Sequence, residues 1–380
     1  MTLRFSETRT VKPRVLIFSF AYEPLIGGAE IAVRELTDRI TDFDFDMVTL
    51  RFKREDLPRE RIGNIEVYRT GRGSKYLYIF AAYRVARALH RKHAYSLTWS
   101  IMANYAGFAA LFFKIRFPKV PFLLTLQEGD PIDYIKRRVR FAHPLYRSIF
   151  TRADQVTAIS HYLAEFAKSM GHRREVSVIP NGVELPRFPM SATWVSPGTE
   201  SITNPMLITT SRLVKKNGVD YIVKALGIMP ESIRLTIVGA GPERERLERL
   251  TGELKVSSRV IFTGEVPHRD ISQHLRRAHI FVRHSLSEGL GNSYLEAMSS
   301  GIPVVGTNVG GIVDFLRDGE TGFISEKGNP ESISKEVLFI LAPENRAKVE
   351  RVVKSGRALV ERSFSWNGIV LDMRRVLESV

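Results

Sequence analysis

The stretch 285-SLSEGLGNSYLEAMSSGIPVVGT-307 combines a glycine-rich loop, a helical segment and a short apolar run. Residues 289–292 form the loop, SYLEAMSS is the helical segment, and residues 303–305 have the β-branched character of a buried strand. A helix that leads directly into a buried strand is typical of α/β domains with a parallel sheet. Two carboxylates, Glu288 and Glu296, lie on either side of the predicted helix start.

The same alternation of strands and helices runs along the whole chain. Strands are predicted at residues 15–20, 46–50, 65–69, 97–100, 122–126, 155–159 and 176–179, with helices between them, for example at 30–40 and 161–170. A second series covers 206–210, 234–238, 260–262, 280–282 and 303–305. The pattern predicts an α/β protein of two doubly wound Rossmann-like domains, residues 1–188 and 206–362. A Pro-, Ser- and Thr-rich linker at 189–205 joins them. Ligands of such sheets bind beyond the carboxyl ends of the strands, here in the cleft between the domains.

The composition of the 380 residues narrows the classes of function. The chain contains no cysteine, which excludes disulfides and thiolate metal sites, and no apolar run approaches the ~18 residues of a membrane span. A cytoplasmic protein is the simplest interpretation. The net charge is +15, and residues 1–190 account for +12 of it, with 31 Lys and Arg against 19 Asp and Glu. A basic half indicates nucleic acid, an anionic membrane surface or an acidic ligand, although a solvated surface without a partner is the alternative.

One basic segment favours the membrane. DYIKRRVRFAHPLYRSIFTR, residues 133–152, interleaves cations with aromatic side chains, and Pro144 predicts that it forms two short helices. Such a segment could rest reversibly on the anionic inner face of a bilayer, where a lipid-linked or saccharide acceptor is met. A solvated helical face is the competing interpretation.

Two segments have the chemistry to bind phosphate. SRLVKKNGVD places Arg212, Lys215 and Lys216 directly after the first strand of the second domain. In YEPLIGGAE, Gly27 and Gly28 would let backbone N–H groups approach an anion at a helix N-terminus. A polar turn and a plain strand-to-helix connection are the structural alternatives.

Other patterns point to functions that we reject. IVGAGPERERL resembles a dinucleotide fingerprint, but Arg244 occupies its third glycine position and the segment does not open the first βαβ unit. A nicotinamide oxidoreductase is therefore excluded. Asp42, Asp44 and Asp46 resemble the metal-binding D-x-D of one class of sugar-transferring enzymes, but lie at the entry to a strand, where a solvated edge is the better interpretation. No metal site is predicted.

The opening stretch itself allows two interpretations. Ser293 and Glu296 form S-x-x-E, so Glu296 could cap the helix. Alternatively, loop and helix N–H groups bind a phosphate while Glu288 and Glu296 accept hydrogen bonds from the sugar rings of one nucleotide-sugar. The local pattern does not decide between them.

Five segments in the same order resemble the retaining glycosyltransferases of family 4, which have the GT-B fold: GGAE, IPNGVE, SRLVKKNGVD, VGAGPE, and SEGLGNSYLEAMSSGIPVVGTNVGGIVDFLRDGETGF. The resemblance implies that Glu288 contacts the donor sugar and Glu296 the ribose. It further implies that Arg212 and a neighbouring lysine neutralise the diphosphate, and that residues 363–380 form a helix returning to the first domain. The remaining donor-binding residues that it implies are Gly27, Gly28, Gly289, Leu290, Gly291, Asn292 and, lining the base, Val266.

This chain departs from the family pattern at two positions. The family lysine commonly stands five residues after the arginine, where this chain has Asn217, so we assign its role to Lys216. Gln127 stands where the family often has a histidine beside the reacting sugar, and glutamine cannot take a proton at neutral pH. Retaining enzymes of this type are thought not to need that base, because the departing phosphate can take the acceptor's proton.

The expected function is metal-independent transfer of a sugar from a nucleotide-diphosphate donor to an acceptor hydroxyl, without a further cofactor, in polysaccharide or glycolipid synthesis. A nucleotide-sugar epimerase on the same fold is the alternative enzyme. A non-catalytic basic binder of nucleic acid is the alternative of another class, and no nucleic acid is expected because the motifs lie in the less basic half.

Overall fold

The computed structural model describes residues 12–25, 27–185 and 204–380. Most of the predicted linker, residues 189–205, lies outside the described residues. An eight-stranded sheet precedes it, in the order β3-β4-β2-β1-β5-β6-β7-β8, and a six-stranded sheet follows it, in the order β11-β10-β9-β12-β13-β14. The strands of the first sheet are β1 Arg14–Phe18, β2 Asp44–Leu50, β3 Arg59–Ile62, β4 Ile65–Thr70, β5 Leu97–Ile101, β6 Phe122–Leu126, β7 Gln155–Ala158 and β8 Val176–Val178. Those of the second are β9 Met206–Thr210, β10 Arg234–Val238, β11 Val260–Gly264, β12 Ile280–Val282, β13 Val304–Gly306 and β14 Phe323–Ile324.

Helices cover both faces of the two sheets. The first domain contains α1 Gly28–Arg39, α2 Lys75–His93, α3 Tyr105–Arg116, α4 Ile132–Arg138, α5 His143–Arg152 and α6 His161–Ser169. The second contains α7 Val219–Gly227, α8 Arg244–Glu253, α9 Ile271–Arg276, α10 Asn292–Ser299, α11 Pro330–Leu341 and α12 Arg346–Ser363, and α13 Trp366–Ser379 ends the chain. The prediction of two doubly wound α/β domains, the GT-B arrangement, is confirmed.

The strands form where the sequence is continuously apolar. β1 is RVLIF, and four of its five residues are fully buried because helices cover both faces of the parallel sheet. Every strand pair is parallel except β3 with β4, where a charged edge strand runs antiparallel. Sequence analysis missed β3 because apolar and polar residues do not alternate clearly in its sequence, RERI. It missed β14 because a strand of two residues shows no periodicity.

In both sheets, successive strands are added first on one side of a central strand and then on its other side. β1 lies between β2 and β5, and β9 lies between β10 and β12, so a crevice opens at the carboxyl ends of each pair. One apolar cluster extends across the two domains and joins Ile159 and Leu163 to Leu290 and Ile312. The two crevices therefore face each other across a narrow cleft.

The last helix belongs spatially to the first domain. Trp366, Ile369 and Met373 of α13 are buried in the same cluster as Val15 and Trp99 of the first sheet. The chain thus returns to the first domain after completing the second. No helix in the described ranges is long and apolar enough to cross a membrane.

Candidate functional site

The site is built around the N-terminus of α10, in the stretch with which the sequence analysis began. Gly291 takes the N-cap position with a φ of +97°, a conformation that favours glycine, and no side chain caps the helix. Ser293 instead accepts a hydrogen bond from Arg283, and Glu296 contacts His268. The capping-box interpretation of Ser293 and Glu296 is therefore wrong. The N–H groups of Asn292 and Ser293, the first two of α10, are left available to an anion, while that of Tyr294 donates to the carbonyl oxygen of Gly291.

The glycine-rich loop contacts the opposite domain directly. The backbone at Gly289 lies so close to the carbonyl oxygen of Glu128 that a side chain at position 289 would clash with it. Ser287 Oγ donates to the carbonyl oxygen of Gly129 over 3.2 Å. Leu290 is fully buried in the apolar cluster, so only its backbone is able to face a ligand. The loop therefore joins the two domains at the bottom of the cleft.

Glu288 has two oxygens in different environments. Oε2 accepts hydrogen bonds from Arg283 Nη2 at 2.7 Å and from Ser285 Oγ at 3.4 Å. Oε1 faces the first domain, where a Cβ added at Gly129 would lie 3.7 Å from it. The Glu288 side chain is only 14% exposed. Oε2 is therefore held by Arg283 and Ser285, and Oε1 is directed into the cleft.

The lysines after β9 are not equivalent. Lys216 Nζ lies 2.9 Å from Asp130 Oδ1 of the first domain, and on the same side of the cleft as Glu288 Oε1. Lys215 is exposed and has no partner among the described residues. Arg212 is also exposed, at the turn that follows β9. Of the two lysines, Lys216 is the one that the turn directs into the cleft.

Gln127 connects to α10 through a residue of the IPNGVE motif. Asn181 Nδ2 donates to Gln127 Oε1 at 3.1 Å and reaches Asn292 Oδ1 at 3.5 Å. Gly28 lies opposite the same helix start, since a Cβ added there would be 3.6 Å from Asn292 Nδ2. The Gly27 N–H is already engaged by Glu30 Oε2 at 2.8 Å. Because the oxygen of the Gln127 side chain already accepts from Asn181, its NH2 group is the part of the amide that is left to donate.

The carboxyl group next to Gln127 does not replace the absent histidine. Glu128 Oε1 accepts a hydrogen bond from the Ala103 N–H at 2.6 Å, which directs the side chain toward the start of α3. Burial raises the pKa of Glu128 to about 7. The group is buried and supports the turn before α3.

Glu296 lies at the outer end of the site. Its Oε1 is 2.8 Å from His268 Nε2, and this hydrogen bond to a carboxylate raises the pKa of His268 above its ordinary value. Burial opposes the shift, while Glu35 and Glu184 of the first domain add to it. Val266, two residues before His268, is partly buried against the apolar cluster. The segment from Val266 to His268 therefore borders Glu296.

The structure brings most of the predicted residues to one cleft. Residues 289–292, Glu288 and Lys216 meet Gly28, Gln127 and the Gly129–Asp130 turn there, and Glu296 lies one helical turn further out. Sequence analysis missed Arg283, Asn181 and His268. Arg283 could have been found, because it is a cation directly after the apolar run of β12, at the carboxyl end of a parallel strand.

The three aspartates near β2 are engaged elsewhere. Asp44 and Asp46 pair with Arg14, and Asp42 pairs with Arg374 of α13. Asp46 is buried and also accepts from the Tyr95 hydroxyl, so the expectation of a solvated strand edge is wrong for that residue. These carboxylates hold the strand and the last helix in place.

Comparison with known families assigns matches to both domains. The family model described as "Glycosyltransferase Family 4" matches residues 26–187, and the model described as "Glycosyl transferases group 1" matches residues 196–358. The two matches meet at the predicted linker and cover both walls of the cleft.

Individual relatives agree with these matches. The chain is 30% identical over 237 residues, 62% of this chain and 68% of the relative, to the lipopolysaccharide core biosynthesis glycosyltransferase LpsE of Rhizobium meliloti. It is 30% identical over 239 residues, 59% of this chain and 62% of the relative, to a GDP-mannose-dependent alpha-(1-6)-phosphatidylinositol monomannoside mannosyltransferase of Mycolicibacterium smegmatis.

Two solved structures share the whole fold. A sucrose-phosphate synthase from Thermosynechococcus elongatus superposes with a TM-score of 0.82 at 21% identity, over 97% of this chain and 99% of the other. Anabaena HepE, solved in complex with UDP and glucose, superposes with a TM-score of 0.76 at 20% identity, over 97% of this chain and 100% of the other.

Proposed function

The chain belongs to the family 4 glycosyltransferases, and we propose on that basis that it transfers a sugar from a nucleotide-diphosphate-sugar to an acceptor hydroxyl with retention at the anomeric carbon. One observation carries the proposal. Lys216 and Glu288 converge on the uncapped N-terminus of α10, at the carboxyl ends of the strands, where a phosphate and a sugar would lie side by side. HepE, of the same fold, binds UDP and glucose.

The proposed roles follow the order of groups along the cleft. Backbone N–H groups of Gly289 to Asn292 hold the diphosphate, and Arg212 and Lys216 balance its charge, so the reaction uses cations of the chain in place of a metal. Gly28, which lies opposite Asn292, closes on the phosphates from the first domain, whereas the N–H group of Gly27 is engaged by Glu30. Glu288 Oε1 accepts hydrogen bonds from the donor sugar.

The outer end of the cleft holds the nucleoside. Glu296 accepts the ribose hydroxyls, and the segment at Val266 lines the base. Contacts at this end act far from the reacting carbon, so they contribute to binding more than to the chemical step.

Catalysis in this proposal is electrostatic. The bond between the anomeric carbon and the diphosphate oxygen breaks while negative charge grows on the phosphate, which the fixed N–H groups and cations stabilise. The departing phosphate oxygen takes the proton of the acceptor hydroxyl, which then attacks from the same face and retains the configuration. Gln127 donates a hydrogen bond to a sugar hydroxyl and takes no proton. Contact between the two domains excludes water from the reacting carbon.

A product analysis tests this function. The protein is incubated with GDP-mannose or UDP-glucose and a glycolipid acceptor, and the product's anomeric configuration is read by NMR. Release of free nucleotide diphosphate with a retained linkage supports the proposal. A changed sugar configuration in the nucleotide-sugar without an acceptor would indicate an epimerase instead.

The acceptor that we propose is a lipid-linked glycan at the cytoplasmic face of a membrane. The mannosyltransferase relative acts on a phosphatidylinositol mannoside, and LpsE on lipopolysaccharide core. Large apolar side chains are exposed on α2, α4, α5 and the turn before α5, among them Phe141 at 91% exposure. We name as the basic aromatic surface Tyr76, Leu77, Phe80, Tyr134, Phe141 and Leu145 with Lys75, Lys136, Arg137, Arg138 and Arg140.

Contacts between helices make this surface continuous. The Tyr76 and Tyr105 rings lie 5.9 Å apart, and Arg138 donates to the Tyr105 hydroxyl at 2.8 Å, which joins α2 to α4. Pro144 lies at the start of α5 and separates it from α4, as predicted. Tyr146 and Phe150 are buried in the core, however, so these two aromatic residues of the segment do not contribute to the surface.

Vesicle binding tests the role of this surface. Wild-type protein is expected to bind vesicles containing phosphatidylglycerol at low salt, because each cation near an anionic surface contributes about 1 kcal/mol. Phe141→Ser should weaken binding several-fold, and the control Ile228→Ser, at an exposed position of the second domain, should not. Absence of wild-type binding in a sedimentation assay would refute the membrane role.

The His268–Glu296 pair predicts how donor binding depends on pH. Because the pKa of His268 is raised, the pair has full strength below pH 6.5 and loses it as the pH rises through the raised value. Ribose must compete with His268 for Glu296, so the KM for the donor should fall as the pH rises above about 6.5 and through the raised pKa of His268. The slope should disappear in His268→Gln. A KM that rises with pH in the wild type would mean that protonated His268 assists binding.

A further inference from the structure

Arg283 is a cation in the centre of the site to which no role has yet been assigned. It follows β12 directly, and its side chain is only 11% exposed. Its guanidinium group donates to Ser285 Oγ at 3.1 Å, Ser293 Oγ, Asn217 Oδ1 at 3.3 Å and Glu288 Oε2 at 2.7 Å, and Nη1 lies 3.5 Å from the Thr210 carbonyl oxygen. The fixed geometry of a guanidinium group makes such a network specific for arginine.

The network gives Glu288 a single orientation. Arg283 and Ser285 hold Oε2 from below, and the free Oε1 is the oxygen that faces Gly129 and Lys216 across the cleft. Without the guanidinium group, a carboxylate with so little solvent exposure would have no cation directly beneath it. The orientation of Glu288 therefore depends on Arg283.

Asn217 connects this network to the turn that carries Arg212. Its Oδ1 accepts from Arg283 Nη2, and its Nδ2 donates to the carbonyl oxygen of Arg212 at 2.6 Å. Asn217 is buried and occupies the position at which the family resemblance places a lysine. In this chain the residue at 217 is neutral. The buried cation in contact with it is Arg283, which directly follows β12.

We propose that Arg283, supported by Asn217, is a positioning residue that holds Glu288 in its reactive orientation, and that the buried cation beside Glu288 is supplied in this chain by position 283 and not by position 217. The inference rests on the proposed function, because it acts through the contact of Glu288 with the donor sugar. All five N–H groups of Arg283 face acceptors of the protein, so its effect passes through Glu288 and not through the phosphates.

Arg283→Gln tests the proposal because glutamine keeps hydrogen-bonding groups but removes the charge. We expect kcat to fall about 100-fold, with the dissociation constants of free GDP and UDP within about twofold of wild type. The control is Arg259→Gln, at an arginine that binds the carbonyl oxygens of Ile233 and Pro230 at the opposite end of the second sheet. Arg259→Gln should leave kcat unchanged. An Arg283→Gln protein with wild-type kcat would overturn the proposal, and so would one that loses nucleotide affinity instead of kcat.

A double-mutant cycle separates positioning from general damage. In a Glu288→Gln background, Arg283→Gln should lower kcat by less than about threefold, since the group through which it acts is already lost. Independent, additive losses would contradict action through Glu288. The melting temperature of each variant shows whether it is folded.

Charge restoration provides the strongest test. The double variant Arg283→Gln with Asn217→Lys returns a cation to position 217, because a lysine side chain reaches further toward Glu288 than the asparagine does. Its kcat should be at least about tenfold higher than that of Arg283→Gln alone. Asn217→Lys alone places two cations together and should not increase kcat. A folded double variant without recovery would refute the role of the cation beside Glu288, even if Arg283→Gln alone fails to fold. Wild-type protein that transfers no sugar would refute the proposed function instead, so the two failures are distinguishable.

Discussion

Glu288→Gln is expected to lower kcat by about 100- to 1,000-fold while the affinity for free nucleotide diphosphate stays near wild type. The substitution removes negative charge from Oε1, the oxygen that faces the cleft, where an oxocarbenium-like centre develops in the proposed reaction. It also leaves the guanidinium group of Arg283, 2.7 Å from Oε2, without its carboxylate. Steady-state kinetics with the donor and calorimetry with the nucleotide alone measure the two quantities.

Glu296→Gln is the matched comparison, because it changes the other carboxylate in the same way. If Glu296 binds the ribose, KM for the donor and the dissociation constant of the free nucleotide should rise together, with kcat less affected. A loss of nucleotide affinity in Glu288→Gln but not in Glu296→Gln would reverse the two assignments. Full activity of both variants would mean that neither carboxylate contacts the donor.

Lys216→Ala is expected to reduce kcat/KM about 10- to 150-fold, and Lys215→Ala to change it little. Loss of one charge-assisted hydrogen bond to the diphosphate costs roughly 1.5–3 kcal/mol, which corresponds to that range. Lys216 Nζ lies in the cleft beside Asp130, whereas the neighbouring Lys215 is exposed and unpaired among the described residues. Kinetics of the two single variants under identical conditions measure the difference.

A further control separates phosphate binding from domain contact, because Lys216 also bridges the two domains. Asp130→Asn removes the ion pair with Lys216 but keeps the lysine. It should therefore cost much less activity than Lys216→Ala. Equal effects of the two lysine variants would show that neither takes the role of the family lysine.

Several features followed from the sequence because they depend on neighbours along the chain. The apolar runs of β1, β6 and β9 are buried on both faces, so their composition alone marks them. The glycine-rich loop before α10, and the break between α4 and α5 at Pro144, follow from local backbone preferences. The short edge strands β3 and β14 were not predictable, because they are defined by pairing with a neighbouring strand and not by their own residue types.

The sequence by itself thus determined the two α/β domains, the position of the glycine-rich loop and the presence of two carboxylates beside it. Only the tertiary structure excluded the capping box, since Ser293 accepts a hydrogen bond from Arg283 and Glu296 contacts His268. It also decided which cation lies beneath Glu288, through a contact between Arg283 and Asn217 that are 66 residues apart, and it placed Lys216 beside Asp130, 86 residues away. Side-chain partners of this kind are set by how the strands are ordered in a sheet and how the domains face each other, and local periodicity carries no information about either.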